Sequence, residues 1–168
     1  MTSAAPCRHV ADRDELLAAV AVRALHVFTV MLAAEADGSG APALRLAAMA
    51  RTYVRFAAEQ RPLFDALYSS GIDKDRFSEL KRAWEPVDAF FAAVREVCEV
   101  CEGDDVAADA LSAALEATAH GHAMLLLDGE YGHGPDAVRS AANQAAAATL
   151  ALIEGRRALR PPGRMGGD

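Results

Sequence analysis

The stretch Arg51–Tyr68, RTYVRFAAEQRPLFDALY, decides the fold. Within it and just before it, apolar residues recur at helical spacing on one stripe, and more of them lie on other sides of the same helix. The stripe is Leu46, Ala50, Tyr53 and Ala57, and the flanking residues are Met49, Val54 and Phe56. A helix that is apolar on several sides is surrounded by protein. The sequence therefore predicts a buried central helix.

The dipeptide Arg61-Pro62 separates this helix from a shorter one. The residue before a proline is disfavoured in the helical region, so the central helix should end there. Pro62 then suits the first turn of a new helix. That helix would carry Leu63, Phe64, Leu67 and Tyr68, which places aromatic side chains at the foot of a central rod.

The composition bounds the fold class and the surroundings of the protein. The chain has 168 residues, of which 52% are apolar, and β-branched alternation is nearly absent, so we expect one all-α domain with a substantial core. The net charge of -7 argues against coating nucleic acid by charge alone. Three cysteines suit a reducing cytoplasm better than a disulfide framework, and we find no secretory signal and no uninterrupted membrane-length apolar run.

Capping and turn residues place the first helices. Asp12 and Glu15 form a capping box for a helix that should end near Glu35. Pro42 should open the central helix at its first turn. The expected apolar stripe of the first helix is Leu16, Val20, Ala24, Val27 or Phe28, and Met31.

The clearest period in the chain follows, at alternating spacings of three and four. It predicts one long helix with an a/d-type stripe of Phe77, Leu80, Trp84, Val87, Phe91, Val94, Cys98 and Cys101, and Pro86 should cause a kink or a stagger near Trp84-Glu85. Cys98 and Cys101 could also be half of a zinc site or a redox pair. Because both continue the apolar stripe and no second pair exists in the sequence, we expect them to be core residues.

The last two main helices carry small side chains. One should run from about Val106 to Leu127, with a bulky face of Leu111, Leu115, His122 and Leu126, and the other from Pro135 to about Ile153, with Gly155 as its stop. Small faces on two antiparallel helices suit a four-helix seam between two copies of a chain. The expected seam residues are Ala110, Ala114, Ala117, Gly121, Leu125, Ala141, Ala145, Ala148 and Leu152.

Several stretches of this sequence are also similar to those of a known protein family. The run Tyr-Val-Arg-Phe-Ala, a helix end, Arg-Pro-Leu-Phe and a short aromatic helix is similar to the C-terminal domain of TetR/AcrR-type transcriptional regulators. His120-Gly121 stands where one branch has a His-Gly pair, although the Trp of that motif is replaced within Glu116–Ala119. The resemblance implies an all-α domain that dimerises through its last two main helices, binds a small apolar effector and controls DNA binding.

The beginning of the chain extends this resemblance. Cys7-Arg8-His9-Val10 is similar to the end of the family's helix-turn-helix domain, but the two helices that should precede it are missing from the sequence. Arg8 and His9 are therefore candidate DNA contacts or simply a solvated basic pair, and operator DNA is a partner only if the full-length protein has a complete helix-turn-helix. We expect residues 1–11 to be a remnant, 12–155 the ligand-binding and dimerisation domain, and 156–168 a disordered tail.

No catalytic motif is recognisable, so we expect no enzyme, catalytic residue, metal or cofactor. Glu116 and His120, four residues apart on a helix, could be a metal or proton-transfer pair, a surface ion pair, or a histidine hydrogen-bonded at the edge of a pocket; one of the last two is favoured. The candidate ligand-binding residues are Tyr53, Phe56, Phe64, Tyr68, Trp84, Phe91, His120 and Met124.

The same residues could form a solid core. The residues alone leave pocket and core open, and the family resemblance favours the pocket. The alternatives to an effector sensor are a ligand-free helical interaction module and a DNA-free TetR-like protein that sequesters a ligand.

Overall fold

The protein is described by a computed structural model that covers residues 13–36, 40–68, 77–84, 88–99 and 105–159, apart from the side chains of residues 84, 88, 89, 91, 99 and 105–107. These ranges contain seven α-helices, one short 3₁₀ helix and no strand, which confirms the all-α prediction. The α-helices are α1 (Arg13–Ala36), α2 (Pro42–Glu59), α3 (Arg61–Tyr68), α4 (Ser78–Trp84), α5 (Asp88–Glu99), α6 (Asp105–Leu127) and α7 (Pro135–Glu154).

Helix α2 is the centre of the bundle, as predicted. It packs against α1, α3, α5, α6 and α7. Pro42 lies in its first turn, where the missing N–H would have no helical partner. Its buried residues occupy several sides of the helix: Leu46, Ala47, Met49, Ala50, Thr52, Tyr53, Val54, Phe56 and Ala57.

The break before Pro62 is also where the sequence predicts it. The backbone N–H of Gln60 donates to the Phe56 carbonyl at 2.8 Å, which closes the last turn of α2. Helix α3 begins at Arg61 and buries Phe64 and Leu67, while Tyr68 is half-buried at its end. The short helix therefore carries its aromatic residues back against the central helix.

Helix α1 buries only part of the expected stripe. Ala24 and Phe28 face the core as predicted, together with Ala21, Leu25 and Leu32, whereas Leu16 is exposed. The prediction was wrong at Leu16 because α1 is apolar on two adjacent stripes, and periodicity alone does not select the buried one. By length and composition α1 also passes as a possible membrane span. Helix α1 packs against α2, α3, α4 and α5, so its apolar character is that of a core helix.

The predicted long helix between residues 77 and 101 is two helices, α4 and α5. The expected kink lies at residues outside those described. The buried stripe of α5 is Ala93, Val94, Val97 and Cys98, joined by the half-buried Phe90. Cys98 is thus a core residue, as expected, while Cys101 and Cys7 lie outside the described residues.

Helices α6 and α7 form an antiparallel hairpin that closes the bundle. Their loop uses positive φ angles of 85° at Gly129 and 81° at Gly132, a region that favours glycine. Helix α7 packs its alanines against α2 and α6. Ala141 and Ala145 have no accessible surface, so their small side chains allow close approach within the chain. This corrects their assignment to an interface between copies.

The expected disordered tail begins with an ordered turn. Arg156–Leu159 form a 3₁₀ helix, and Arg156 donates to the Ile153 carbonyl at 2.7 Å, which satisfies a carbonyl at the end of α7. Leu159 packs on the core, so these four residues belong to the bundle. Residues 160–168 lie outside the described part of the chain, as do residues 1–12 with Arg8, His9 and Asp12.

Candidate functional site

A cavity of about 110 Å³ lies between α2 and five neighbouring helices. Three residues of the predicted central stripe, Leu46, Ala50 and Tyr53, form one side of it. The other lining residues are Phe28 and Leu32 from α1, Met49 from α2, Tyr68 from α3, Phe90 from α5, Leu115, Glu116 and Ala119 from α6, and Thr149 from α7. The wall is therefore largely apolar and draws on six helices.

His120 lies beside this cavity in a cluster of aromatic rings. Its Nδ1 is 2.9 Å from the Tyr53 hydroxyl, within hydrogen-bonding distance. Its ring stacks on Phe64 with centroids 5.7 Å apart and lies 4.8 Å from the Tyr68 ring. The half-buried His120 thus matches the third alternative for this residue, a hydrogen-bonded histidine at a pocket edge.

The two phenols of the wall are neutral at physiological pH. Burial raises the pKa of Tyr53 far above its ordinary value, and nearby Tyr68 and Glu116 raise it further. Burial also raises the pKa of Tyr68 to about 12. The side chain of each tyrosine also affects the pKa of the other. Both phenol groups therefore interact with neighbouring groups within the protein.

The predicted ligand-binding residues divide into several groups. Tyr53 and Tyr68 line the cavity, and Phe56 and Phe64 are buried behind them. Met124 is 37% exposed on the outer side of α6, so its place in the predicted pocket is corrected: it lies about 180° around the helix from Leu115, by the helical spacing of 100° per residue. The side chains of Trp84 and Phe91 lie outside the described residues.

Sequence reasoning missed most of the wall, including Phe90. The predicted stripe of a single long helix selected Phe91 instead. Because α4 ends at Trp84 and α5 begins at Asp88, the helical phase of one helix need not continue in the other. Phe90, Ala93, Val94 and Val97 then form a regular stripe of their own at spacings i, i+3, i+4 and i+7, a signal that the sequence does contain.

Thr149 is a polar residue in this apolar wall. It is only 1% exposed, and its Oγ1 has no hydrogen-bond partner among the described residues. A threonine inside a helix commonly bonds a carbonyl of the preceding turn. Thr118 does so, since its Oγ1 donates to the Ala114 carbonyl at 2.7 Å. The Thr149 hydroxyl is therefore a buried hydrogen-bonding group without a partner in the described part of the chain.

The outer face of α6 carries the other expected site, the dimer seam. Ala117 and Leu125 are exposed, and Ala110, Ala114 and Gly121 are half-buried. A Cβ added at Gly121 would meet nothing within 4 Å. Packing within the chain therefore does not account for this glycine. From α7, Ala148 and Leu152 are half-buried.

A second polar cluster joins α6 to α7 away from the cavity. His122 Nδ1 is 2.5 Å from the Tyr131 hydroxyl, which donates to Gln144 Oε1 at 3.2 Å. Burial lowers the pKa of His122. In the described part of the chain, no group of three His, Cys, Asp or Glu side chains is placed to hold a metal ion.

Residues 46–149, more than half of the chain, match the family described as "Tetracyclin repressor-like, C-terminal domain". The chain belongs to this family. No curated protein and no solved structure gives a significant match. The matched region begins on the cavity stripe at Leu46 and ends at Thr149, so it includes the outer face of α6 and all of the cavity wall except Phe28 and Leu32. Tetracycline repressor-like C-terminal domains are regulatory, and they typically bind effectors and dimerise.

Proposed function

We propose that this chain is the effector-binding and dimerisation domain of a TetR-like transcriptional regulator that works in the cytoplasm and responds to a small apolar molecule. The observation that carries the proposal is the cavity, which six helices enclose with a largely apolar wall. Pockets between helices of a bundle are a common place for small ligands. Family membership supports the same function.

The position of the cavity also explains how a bound ligand would affect the rest of a regulator through α1. Phe28 and Leu32 of α1 form part of the cavity wall. A ligand that contacts them has different affinities for different positions of α1, and only such a difference shifts a conformational equilibrium. In TetR-like regulators the first helix of this domain follows the DNA-binding head. Where a complete helix-turn-helix is present, α1 would set the spacing of two heads on operator DNA.

Thermal denaturation with a panel of small apolar probes tests the ligand site. A ligand that binds only the folded state at 100 times its Kd stabilises it by about 2.7 kcal/mol. Ala50→Leu, which fills the cavity, should abolish the shift, whereas Ala147→Leu on the exposed side of α7 should retain it. If no probe shifts the melting temperature and the purified protein carries no small molecule, a ligand-free helical module becomes the better account.

The exposed small face of α6 supports dimerisation. Gly121 lies on it with open space where a Cβ would be, and glycine in a helix interior costs about 1 kcal/mol relative to alanine. A second helix that packs closely on this face accounts for that cost. We therefore assign the seam to Ala110, Ala114, Ala117, Gly121 and Leu125 of α6, with Ala148 and Leu152 of α7.

Native mass spectrometry tests the seam and the ligand together. We expect a dimer, with any copurified effector as added mass. Leu125→Glu should give monomers because it places a charge on the seam. The matched control is Leu44→Glu on α2, since Leu44 is 58% exposed and Leu125 is 46% exposed, but only Leu125 lies on the small face. Dimers in both variants, or a monomeric wild type, would overturn the seam.

A further inference from the structure

The cavity wall indicates the charge of the ligand, an inference that rests on the proposed function. We propose that the effector is a small apolar body with one cationic group, and that the Glu116 carboxylate binds this group at the rim of the cavity. Three observations lead to it: the place of Glu116 in the wall, the state of its charge, and the aromatic rings of the same wall.

Glu116 is the residue at which the described wall both carries a charge and reaches the surface. Among the described lining residues it is the only one with an ionised side chain and the only exposed one. Tyr68 and Phe90 are half-buried, and the other described lining residues are buried. A cationic group beside this carboxylate therefore keeps contact with water and avoids much of the cost of burying a charge.

The charge of Glu116 has no cationic partner among the described residues. Three other acidic side chains of the described helices do form ion pairs, since Arg45 pairs with Glu96, Arg61 with Asp65 and Arg139 with Asp136. His120, one turn further along α6 than Glu116, lies 2.9 Å from the Tyr53 hydroxyl. The described wall contains no lysine, arginine or histidine, so an anion would meet only the repulsion of the carboxylate.

Aromatic rings in the same wall add to the attraction for a cation. Phe28, Tyr53, Tyr68 and Phe90 line the cavity, and the ring centroids of the two tyrosines are 6.2 Å apart. Burial is the main cause of the raised pKa values of both tyrosines, and the charge of Glu116 raises both further, so the carboxylate lies near both phenol groups. Aromatic rings attract cations through their negative faces. A cation held by Glu116 therefore lies close to two neutral aromatic rings.

The enclosed space limits the apolar body of the ligand. An apolar cavity of roughly 150 Å³ in a protein interior can hold a benzene molecule. The cavity here is about 110 Å³, so it suits a group no larger than a single ring, with small adjustments of the flexible Met49 side chain. The effector that fits both parts of the site is thus a short amine or quaternary ammonium compound with one small apolar group.

Titration with benzylammonium, benzyl alcohol and ethylbenzene tests this assignment by calorimetry or ligand-observed NMR at about pH 7.5 and low ionic strength. The three probes share a ring and a number of heavy atoms, and only benzylammonium is charged. Wild-type protein should bind benzylammonium about fivefold more tightly than benzyl alcohol, as for an exposed ion pair, and added salt should reduce this ratio. In Glu116→Gln the ratio should fall about fivefold, while the affinities for the two neutral probes stay the same.

Asp109→Asn is the matched control. Asp109 is exposed on α6 two turns before Glu116 and does not line the cavity, so its removal changes the net charge equally. This variant should keep the wild-type ratio. An equal fall of the ratio in both variants would show that net charge, and not Glu116, selects the cation.

The other outcomes separate this inference from the proposed function. An unchanged ratio in Glu116→Gln overturns the role of Glu116 and leaves the effector site standing. Tighter binding of benzyl alcohol than of benzylammonium by the wild type overturns the cationic effector, again without affecting the site. Failure of the wild type to bind any of the three probes overturns both this inference and the ligand site on which it rests.

Discussion

The two faces of α6 are made of similar residues but lie in different surroundings. Leu111 and Leu115 on the inner face are buried against the rest of the chain, and Leu115 also borders the cavity. Leu125 on the outer face is 46% exposed beside Ala117 and Gly121. The inner face packs against its own chain, whereas the described residues leave much of the outer face uncovered. If the outer face forms the proposed seam, one helix serves stability with one face and association with the other, and substitutions should report on the two separately.

The largest expected effect is on the inner face. Leu111→Ala removes a fully buried side chain and should lower the free energy of unfolding by about 2–5 kcal/mol. Leu125→Ala on the outer face should change it by less than about 0.5 kcal/mol in the monomer. Urea denaturation at a protein concentration low enough to keep the chain monomeric measures both. Equal costs for the two leucines would mean that the faces are not distinct.

Thr149 provides the next effect, and its sign is unusual for a core substitution. Thr149→Val replaces a buried hydroxyl without a partner by a methyl group of similar size, so it should stabilise the ligand-free protein by about 1 kcal/mol. Thr29→Val is the matched control, because Thr29 is also buried but donates to the His26 carbonyl at 3.2 Å. That control should be neutral or destabilising by up to about 1 kcal/mol. A destabilised Thr149→Val would show that its hydroxyl is satisfied.

Gly121 tests the outer face with a smaller change. In the monomer, Gly121→Ala should raise the free energy of unfolding by about 1 kcal/mol, since the added Cβ meets nothing within 4 Å and alanine favours the helix. In a close-packed seam the same methyl group should weaken the dimer, by roughly tenfold in Kd for a cost of about 1.4 kcal/mol. Denaturation and sedimentation equilibrium separate the two effects. A stabler monomer with unchanged association would exclude Gly121 from the seam.

The sequence predicts the central part of the fold well because the local signals there agree. The several-sided apolar pattern of α2, the Arg61-Pro62 break and Pro42 all specify the same two helices, and these helices form as predicted. Such agreement between pattern and backbone chemistry makes a segment predictable. The prediction for α1 was wrong at Leu16 because two apolar stripes compete there, and only the packing partners decide between them.

The cavity wall was predicted less completely, for a physical reason. Aromatic residues such as Tyr53 and Tyr68 are evident candidates from the sequence, and both line the cavity. Ala119 and Thr149 have no distinguishing local signal, because a cavity is defined by space that six helices leave unfilled. Whether a small residue borders that space depends on the relative placement of helices distant in the chain. Similarly, only the packing of α7 on α2 shows that Ala145 is internal.

The smallest expected effect is the pH dependence from His122, which flanks the inner face of α6 and contacts Tyr131. Burial lowers the pKa of His122 in the folded protein below the ordinary value of about 6.5. The unfolded chain therefore binds more protons than the folded chain as the pH falls below about 6.5, and the free energy of unfolding decreases there. The effect is small because His122 is only half-buried and water screens its charge.

Denaturation at pH 7.5 and pH 5.5 measures this difference. His122→Gln should reduce the loss of stability between the two pH values, because glutamine does not titrate. His133→Gln, in the exposed α6–α7 loop, controls for the removal of an imidazole. An unchanged pH dependence in His122→Gln would show that another group causes it. A reduced one would establish that the polar junction of α6 with α7 weakens in mild acid.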